Sequence, residues 1–329
     1  MPTAFRVSAL ALVVSAIAAL WSAAPCRADG IAIHSGQKLA FLGDSITQFG
    51  WEHASGYLHL VVNGLETCGI KVIPIPAGIS GNTSRDMLGR LQRDVLAKKP
   101  DWLTISCGVN DVWHNPGGVP LEEYQKNMTE IVDRAQAAGI KVMILTATMI
   151  YEDQANSLNQ RLIPYNAFLR ELAARKHCLL ADVGADMQAR IHEAIAHGHH
   201  PGHLLTVDGV HMNPVGNMMM ATAILQAFGL EAAQLHQVRQ AWLDKPAGWT
   251  ARVTCTVSAD KPLTLGQYLK LRDQALAANQ DVPQMLQNSF QKDANAILSA
   301  GGTHSPRQRI QDQFTRDVDQ RLGSAGNPK

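Results

Sequence analysis

The sequence has little of what marks several large functional classes. Its 29 basic and 28 acidic residues nearly cancel, leaving a formal net charge of +1. Nucleic-acid-binding domains carry a basic footprint, so no nucleic-acid partner is expected. Aromatic residues make up only 5%, which displays no clear sugar-stacking platform. None of the five cysteines is spaced as C-x-x-C, which argues against a thiol-redox motif or a cysteine-rich zinc site. No internal repeat, low-complexity tract, Walker motif or G-x-G-x-x-G fingerprint is present. What remains is an ordinary globular composition, 46% hydrophobic and 17% charged over 329 residues, long enough to bury a sizeable core.

The one long apolar run lies at the N-terminus. Arg6 precedes the uncharged stretch from Val7 to Trp21, and small residues lead to Cys26-Arg27-Ala28 before Asp29. This reads as a secretory signal peptide over residues 1–28, since the run is shorter than the roughly 20 residues a spanning helix needs. Export to a secreted or periplasmic location is the expectation, with no stable membrane insertion after cleavage. Cleavage after Ala28 removes Arg6 and Arg27 from the 29 basic residues, leaving 27 against 28 acidic ones, net −1. It also leaves Cys68, Cys107, Cys178 and Cys255. Four cysteines permit three disulfide connectivities, and sequence does not choose among them. Cys107 sits in an apolar strand, where a free thiol is a common core residue.

From Gly36 onward, short apolar runs alternate with longer amphipathic ones. Strands are expected at 37–42, 70–75, 102–106, 140–146 and 178–182. Helices are expected at 56–67, 83–98, 121–138, 157–176 and 214–228, with Pro164 kinking the fourth. Continuous apolar runs such as Val142-Met143-Ile144-Leu145 mark strands buried on both faces. Strand and helix alternating at this spacing predict right-handed βαβ units on a mostly parallel sheet. The expected fold is a three-layer α/β/α sandwich over residues 36–230. Residues 231–329 read as a mainly helical extension, with helices at 231–248, 264–278 and 282–298, a strand or hairpin arm at 249–257 and a disordered tail at 323–329.

Four short segments carry side chains suited to one chemistry. Gly43-Asp44-Ser45 follows the first strand, placing a serine hydroxyl at the sheet edge where α/β folds bind ligands. Ser80-Gly81-Asn82 follows the second strand and opens a helix, where backbone N–H groups point at a ligand. Gly108-Val109-Asn110-Asp111 follows the third, and an asparagine amide is a suitable neutral donor to an oxyanion. Asp208-Gly209-Val210-His211 precedes the closing helix, with a carboxylate placed to orient an imidazole.

In this order the four segments resemble the blocks of the SGNH, or GDSL-type, hydrolase family. The resemblance spans about residues 36–230. It implies a five-stranded sheet in flavodoxin-like order. It also implies Ser45 as nucleophile, His211 as general base and then acid, and Asp208 as the group orienting His211. The oxyanion hole would be the Ser45 and Gly81 backbone N–H groups and the Asn110 side chain. No metal or organic cofactor is implied. No G-x-S-x-G elbow surrounds Ser45, which argues against the α/β-hydrolase fold. Many relatives carry Asn where this chain has Ala77, a departure expected to affect loop support rather than the catalytic set.

The expected activity is a secreted serine esterase, acting on a small acyl ester or acylated carbohydrate as an O-deacetylase. A lysophospholipase or thioesterase for longer acyl chains remains open, as does a non-catalytic glycan-binding or assembly protein on the same fold. Asp44, Trp113 and His114 are possible cleft-lining residues. His197, His199, His200 and His203 lie in a loop read as bordering the cleft rather than holding a metal. Met218, Met219 and Met220 are expected to fill the core. The oligomeric state is not legible.

Overall fold

The structure is a computed structural model that describes residues 30–114, 117–244, 251–254, 260–288 and 306–324. The segment read as a signal peptide lies outside the described residues. Five parallel strands form the central sheet: β1 (Lys38–Gly43), β2 (Ile73–Gly78), β3 (Trp102–Ser106), β4 (Lys141–Leu145) and β5 (Leu179–Ala181), in the order β2-β1-β3-β4-β5. The strand order reverses direction at β1, which pairs with β2 on one side and β3 on the other.

Helices cover both faces. The step from β1 to β2 runs opposite to the steps from β2 to β3, β3 to β4 and β4 to β5. Right-handed crossovers therefore place α2 (Tyr57–Thr67) on one face and α3 (Ser84–Asp94), α5 (Leu121–Ala137) and α6 (Ser157–Arg175) on the other. The packing agrees. Helix α2 contacts α8 (Pro214–Ala227) and α9 (Ala232–Asp244), whereas α3 contacts α5 and α5 contacts α6. Strands β1 and β3 are buried almost throughout, as strands sandwiched between two helical layers must be.

Some elements depart from the sequence reading. Strand β2 begins three residues later than expected. It is an edge strand, and Pro74 and Pro76 alternate along it. Residues two apart direct their backbone nitrogens the same way, so both prolines face away from β1 and forfeit no ladder bond. Ile73 N–H, on the other side, donates to Gln37. Three helices before residue 230 were not anticipated: α1 (Ser45–Glu52), α4 (Val109–Trp113) and α7 (Val183–Ala196).

Beyond residue 230 the chain continues through α9 into a hairpin of β6 (Ala251–Thr254) and β7 (Asp260–Leu263), then α10 (Leu265–Ala277), α11 (residues 282–288) and α12 (Pro306–Ser324). Helix α9 joins the main core through Val238 and Trp242, and the Trp242 indole donates to Leu60 O. Leu271, Met285, Ile310, Phe314 and Val318 form a second, smaller core. The polar composition from Gly301 onward had hidden α12, whose buried Ile310, Phe314 and Val318 recur once per turn. The expected tail at 323–329 begins inside α12, and its last five residues lie outside the described ones.

Candidate active site

The four motif segments converge where the sheet order reverses, at the carboxyl ends of β1, β2 and β3. Ligands bind open α/β sheets at this place. Strand β1 ends at Gly43, Asp44 caps α1, and Ser45 is the first helical residue. The Asp44 carboxylate accepts from Ile46 N–H at 2.9 Å. Ser45 N–H therefore remains one of the unpaired donors of the helix N-terminus. Thr47 and Tyr57 share a buried hydrogen bond at 2.8 Å that ties α1 to α2.

His211 Nε2 lies 2.9 Å from Ser45 Oγ, and His211 Nδ1 lies 2.6 Å from Asp208 Oδ2. The other Asp208 oxygen accepts from the backbone N–H groups of Val210 and His211. The carboxylate is thus bound to both the ring and the backbone of the residue it orients. Partial burial pushes the Asp208 carboxyl up, but these hydrogen bonds outweigh it and hold the group below its ordinary range. The Phe49 ring packs on His211 with centroids 4.9 Å apart. The turn itself is fixed by Asn213, which caps α8 through Val215 N–H and Gly216 N–H and donates to His203 O.

Opposite this chain, Gly81 and Asn110 present donors. Around the Gly81 turn, Ile79 N–H donates to Gly43 O, Ser80 N–H to Gln48 Oε1, and Asn82 N–H to Ile79 O. Gly81 N–H has no acceptor among the described residues, and its φ of 77° is one glycine adopts without strain. Asn110, at the start of α4, is 4% exposed and donates through Nδ2 to Asn82 O at 3.0 Å. The same amide keeps a second N–H. A reacting carbonyl oxygen set among Ser45 N–H, Gly81 N–H and Asn110 Nδ2 would meet three neutral donors, the requirement for a tetrahedral oxyanion.

Supporting residues that sequence reasoning missed hold these parts in register. The buried Arg90 guanidinium donates to Gly43 O, Asn82 Oδ1 and Asp94 Oδ2. It joins the end of β1 to the Gly81 turn. Asp111 accepts from the backbone and hydroxyl of Ser84 and from the Cys107 thiol. Burial raises its carboxyl above the ordinary range against those hydrogen bonds. Glu152, 1% exposed, accepts five hydrogen bonds, from the backbones of Gly202, Leu204, Leu205 and Thr206 and from the Thr206 hydroxyl. It secures the loop that leads into Asp208.

The cleft expectations divide. Asp44 is 2% exposed and its carboxylate is spent on capping α1, so it does not line a cleft. Trp113 is half-buried and His114 exposed, stacked with ring centroids 5.8 Å apart. Trp113 also meets Tyr151 in a T-shaped arrangement, with ring centroids 6.3 Å apart. The histidine loop faces elsewhere. His199, His200 and His203 line a cavity of about 300 Å3 against α10, and none of Ser45, Asp208 and His211 borders it. Arg272 of α10 donates to Leu204 O across the same boundary. Among the described residues no group of three His, Cys, Asp or Glu side chains is arranged to hold a metal ion.

Comparisons with known proteins point the same way as this geometry. Residues 41–219 match the GDSL-like Lipase/Acylhydrolase family. The chain is 30% identical over 220 residues to an acetylxylan esterase of Geobacillus stearothermophilus, covering 60% of this chain and 97% of that protein. The solved structure of the acetyl xylan esterase AlAXEase is 33% identical, with a TM-score of 0.53 over 58% of this chain and 98% of its own. That of Axe2, an acetylxylan esterase from Geobacillus stearothermophilus, is 29% identical, with a TM-score of 0.54 over 61% and 98%. The chain belongs to the GDSL-like lipase/acylhydrolase family, the SGNH hydrolases, and is an ester-bond hydrolase.

Proposed function

We propose that the protein is an exported serine esterase that removes acetyl groups from carbohydrate. The observation that carries the mechanism is the hydrogen-bonded chain from Ser45 Oγ through His211 to Asp208. Ser45 Oγ attacks the ester carbonyl as His211 Nε2 takes its proton, which turns a weak nucleophile into an effective one. Negative charge on the former carbonyl oxygen is met by Ser45 N–H, Gly81 N–H and Asn110 Nδ2. The tetrahedral species collapses, and His211 returns the proton to the departing alcohol. Water, deprotonated by His211, then attacks the acyl-Ser45 ester, and His211 returns that proton to Ser45 Oγ as the acyl–oxygen bond breaks and the carboxylic acid leaves. Asp208 stabilises the imidazolium formed in each half and keeps the ring turned toward Ser45.

The substrate class is supported by the acetylxylan esterases that the chain resembles over nearly their whole length, and export by the N-terminal run. Residues 36–230 form the hydrolase unit on this reading, with 231–329 appended. The test is a substrate profile. Aryl esters from acetyl to palmitoyl and acetylated polysaccharides are offered to the chain lacking residues 1–28, with release of alcohol or acetate measured. Preference for acetyl and release of acetate from polysaccharide are expected. Preference for palmitoyl would replace the deacetylase reading with that of a long-chain acyl hydrolase.

A further inference from the structure

Tyr151 is held in a conformation that its side chain disfavours. Its φ is 61°, the left-handed region, where a bulky residue is an outlier. Such strain persists only where the surroundings over-determine it, and it gathers at functional sites. The surroundings here are dense. Tyr151 N–H donates to Gly209 O at 2.8 Å, and Tyr151 O accepts from Asn159 Nδ2 at 3.0 Å. Asn159 also accepts from Ile150 N–H and donates to Asp153 O, so one asparagine brackets the segment. The next residue, Glu152, is anchored by its five hydrogen bonds to the loop that leads to Asp208.

This backbone directs the Tyr151 ring outward, where it is 41% exposed. The ring touches Gly209, inside the Asp208–His211 turn. A Cβ at Gly209 would stand 2.5 Å from Tyr151 Cδ1, and its φ of 94° is likewise a glycine conformation. It also meets the Trp113 ring nearly perpendicularly, at 81°, and Trp113 follows Asn110 by three residues. Tyr151 therefore bridges the histidine side of the site and the oxyanion side. Its hydroxyl has no hydrogen-bond partner among the described residues.

We infer that Tyr151 is the specificity-determining residue for the alcohol half of the ester, the surface on which a pyranose ring of an acetylated saccharide stacks. The inference rests on the carbohydrate-esterase reading above. A sugar ring presents an apolar C–H face edged by hydroxyls. An exposed aromatic ring with an unpaired hydroxyl matches both features. A long alkyl chain instead calls for an enclosed apolar pocket, and the exposed His114 and half-exposed Asp208 flanking this surface do not supply one.

The test exploits the strain. Glycine adopts φ near 60° freely, so Tyr151→Gly removes the ring while suiting the backbone, and a thermal melt checks that the fold is retained. Its kcat/KM is measured on an acetylated xylo-oligosaccharide and on vinyl acetate, which shares the acyl group but lacks a ring. The ratio of the two is expected to fall about tenfold or more, equivalent to roughly 1.4 kcal/mol of lost recognition, carried mainly by KM for the saccharide. Tyr151→Phe should fall less, since it retains the stacking face. An unchanged ratio in Tyr151→Gly would overturn the inference while leaving the esterase reading intact. Wild-type enzyme that cleaves vinyl acetate but no acetylated saccharide would overturn the carbohydrate reading itself, and this inference with it.

Discussion

At Ser45 the chain passes from a buried strand into a helix within two residues, and that abruptness leaves its N–H at the open end of the helix. Asn110 stands across from it with one amide N–H spent on Asn82 O. Asn110→Ala should lower kcat about 10²–10³-fold, some 2.7–4 kcal/mol, with little change in KM, because the amide bonds most strongly to the oxyanion. A change confined to KM in steady-state assays would assign Asn110 to ground-state binding. Asp44 makes a different prediction. Burial raises its carboxyl to about 7, against the Ile46 N–H and with the nearby Asp111 carboxylate. The folded state keeps this proton to higher pH than the unfolded chain does, so Asp44 costs stability increasingly as pH rises from about 4 to about 7. Asp44→Asn keeps an acceptor for Ile46 N–H and loses that cost. Its advantage in Tm over wild type should grow across that window and level off above it. The residues of the four motifs were legible because their types are unusual together. Arg90 and Glu152 were not, since an arginine in a polar helix and a glutamate beside Asp153 read as solvated until the fold buries them. Low aromatic content likewise hid a local grouping, because Trp113 and Tyr151 meet only through the fold.

Elements were legible where hydrophobic period was strong and punctuated, as in β3, α5 and α6. The misses have separate causes. Prolines displaced β2 along the edge of the sheet. Helix α1 is only 8 residues long, too short for periodicity to register. Helix α12 buries a stripe one residue wide within a polar sequence. That stripe predicts Phe314→Ala to loosen the second core, since removing a buried phenylalanine costs about 3–5 kcal/mol. Faster amide exchange in residues 263–288 and 308–322 is expected, with exchange in β1 and β3 unaltered. Glu152→Ala should act on the loop that leads into Asp208 instead. It strands several buried N–H donors, each costing about 1–3 kcal/mol, so both Tm and kcat should fall.

The whole molecule joins a family core to an extension that packs upon it through α9, α10 and Arg272. No helix among the described residues is long and apolar enough to cross a membrane. Cys68 is disulfide-bonded, while Cys107 and Cys178 are free. Sequence left this pairing open because spacing carries no information on which cysteines meet. Alkylation in denaturant without reductant should therefore modify Cys107 and Cys178 but spare Cys68, as peptide mass spectrometry would report. The central claim is that Ser45, activated by His211, forms a covalent acyl intermediate. Its most direct test is peptide mass spectrometry after treatment with diethyl p-nitrophenyl phosphate, a phosphorylating analogue of an activated ester. The account predicts one diethylphosphoryl group, on Ser45, with esterase activity lost in proportion to labelling. Full activity in completely labelled protein, or loss of activity in step with labelling at another residue, would contradict it.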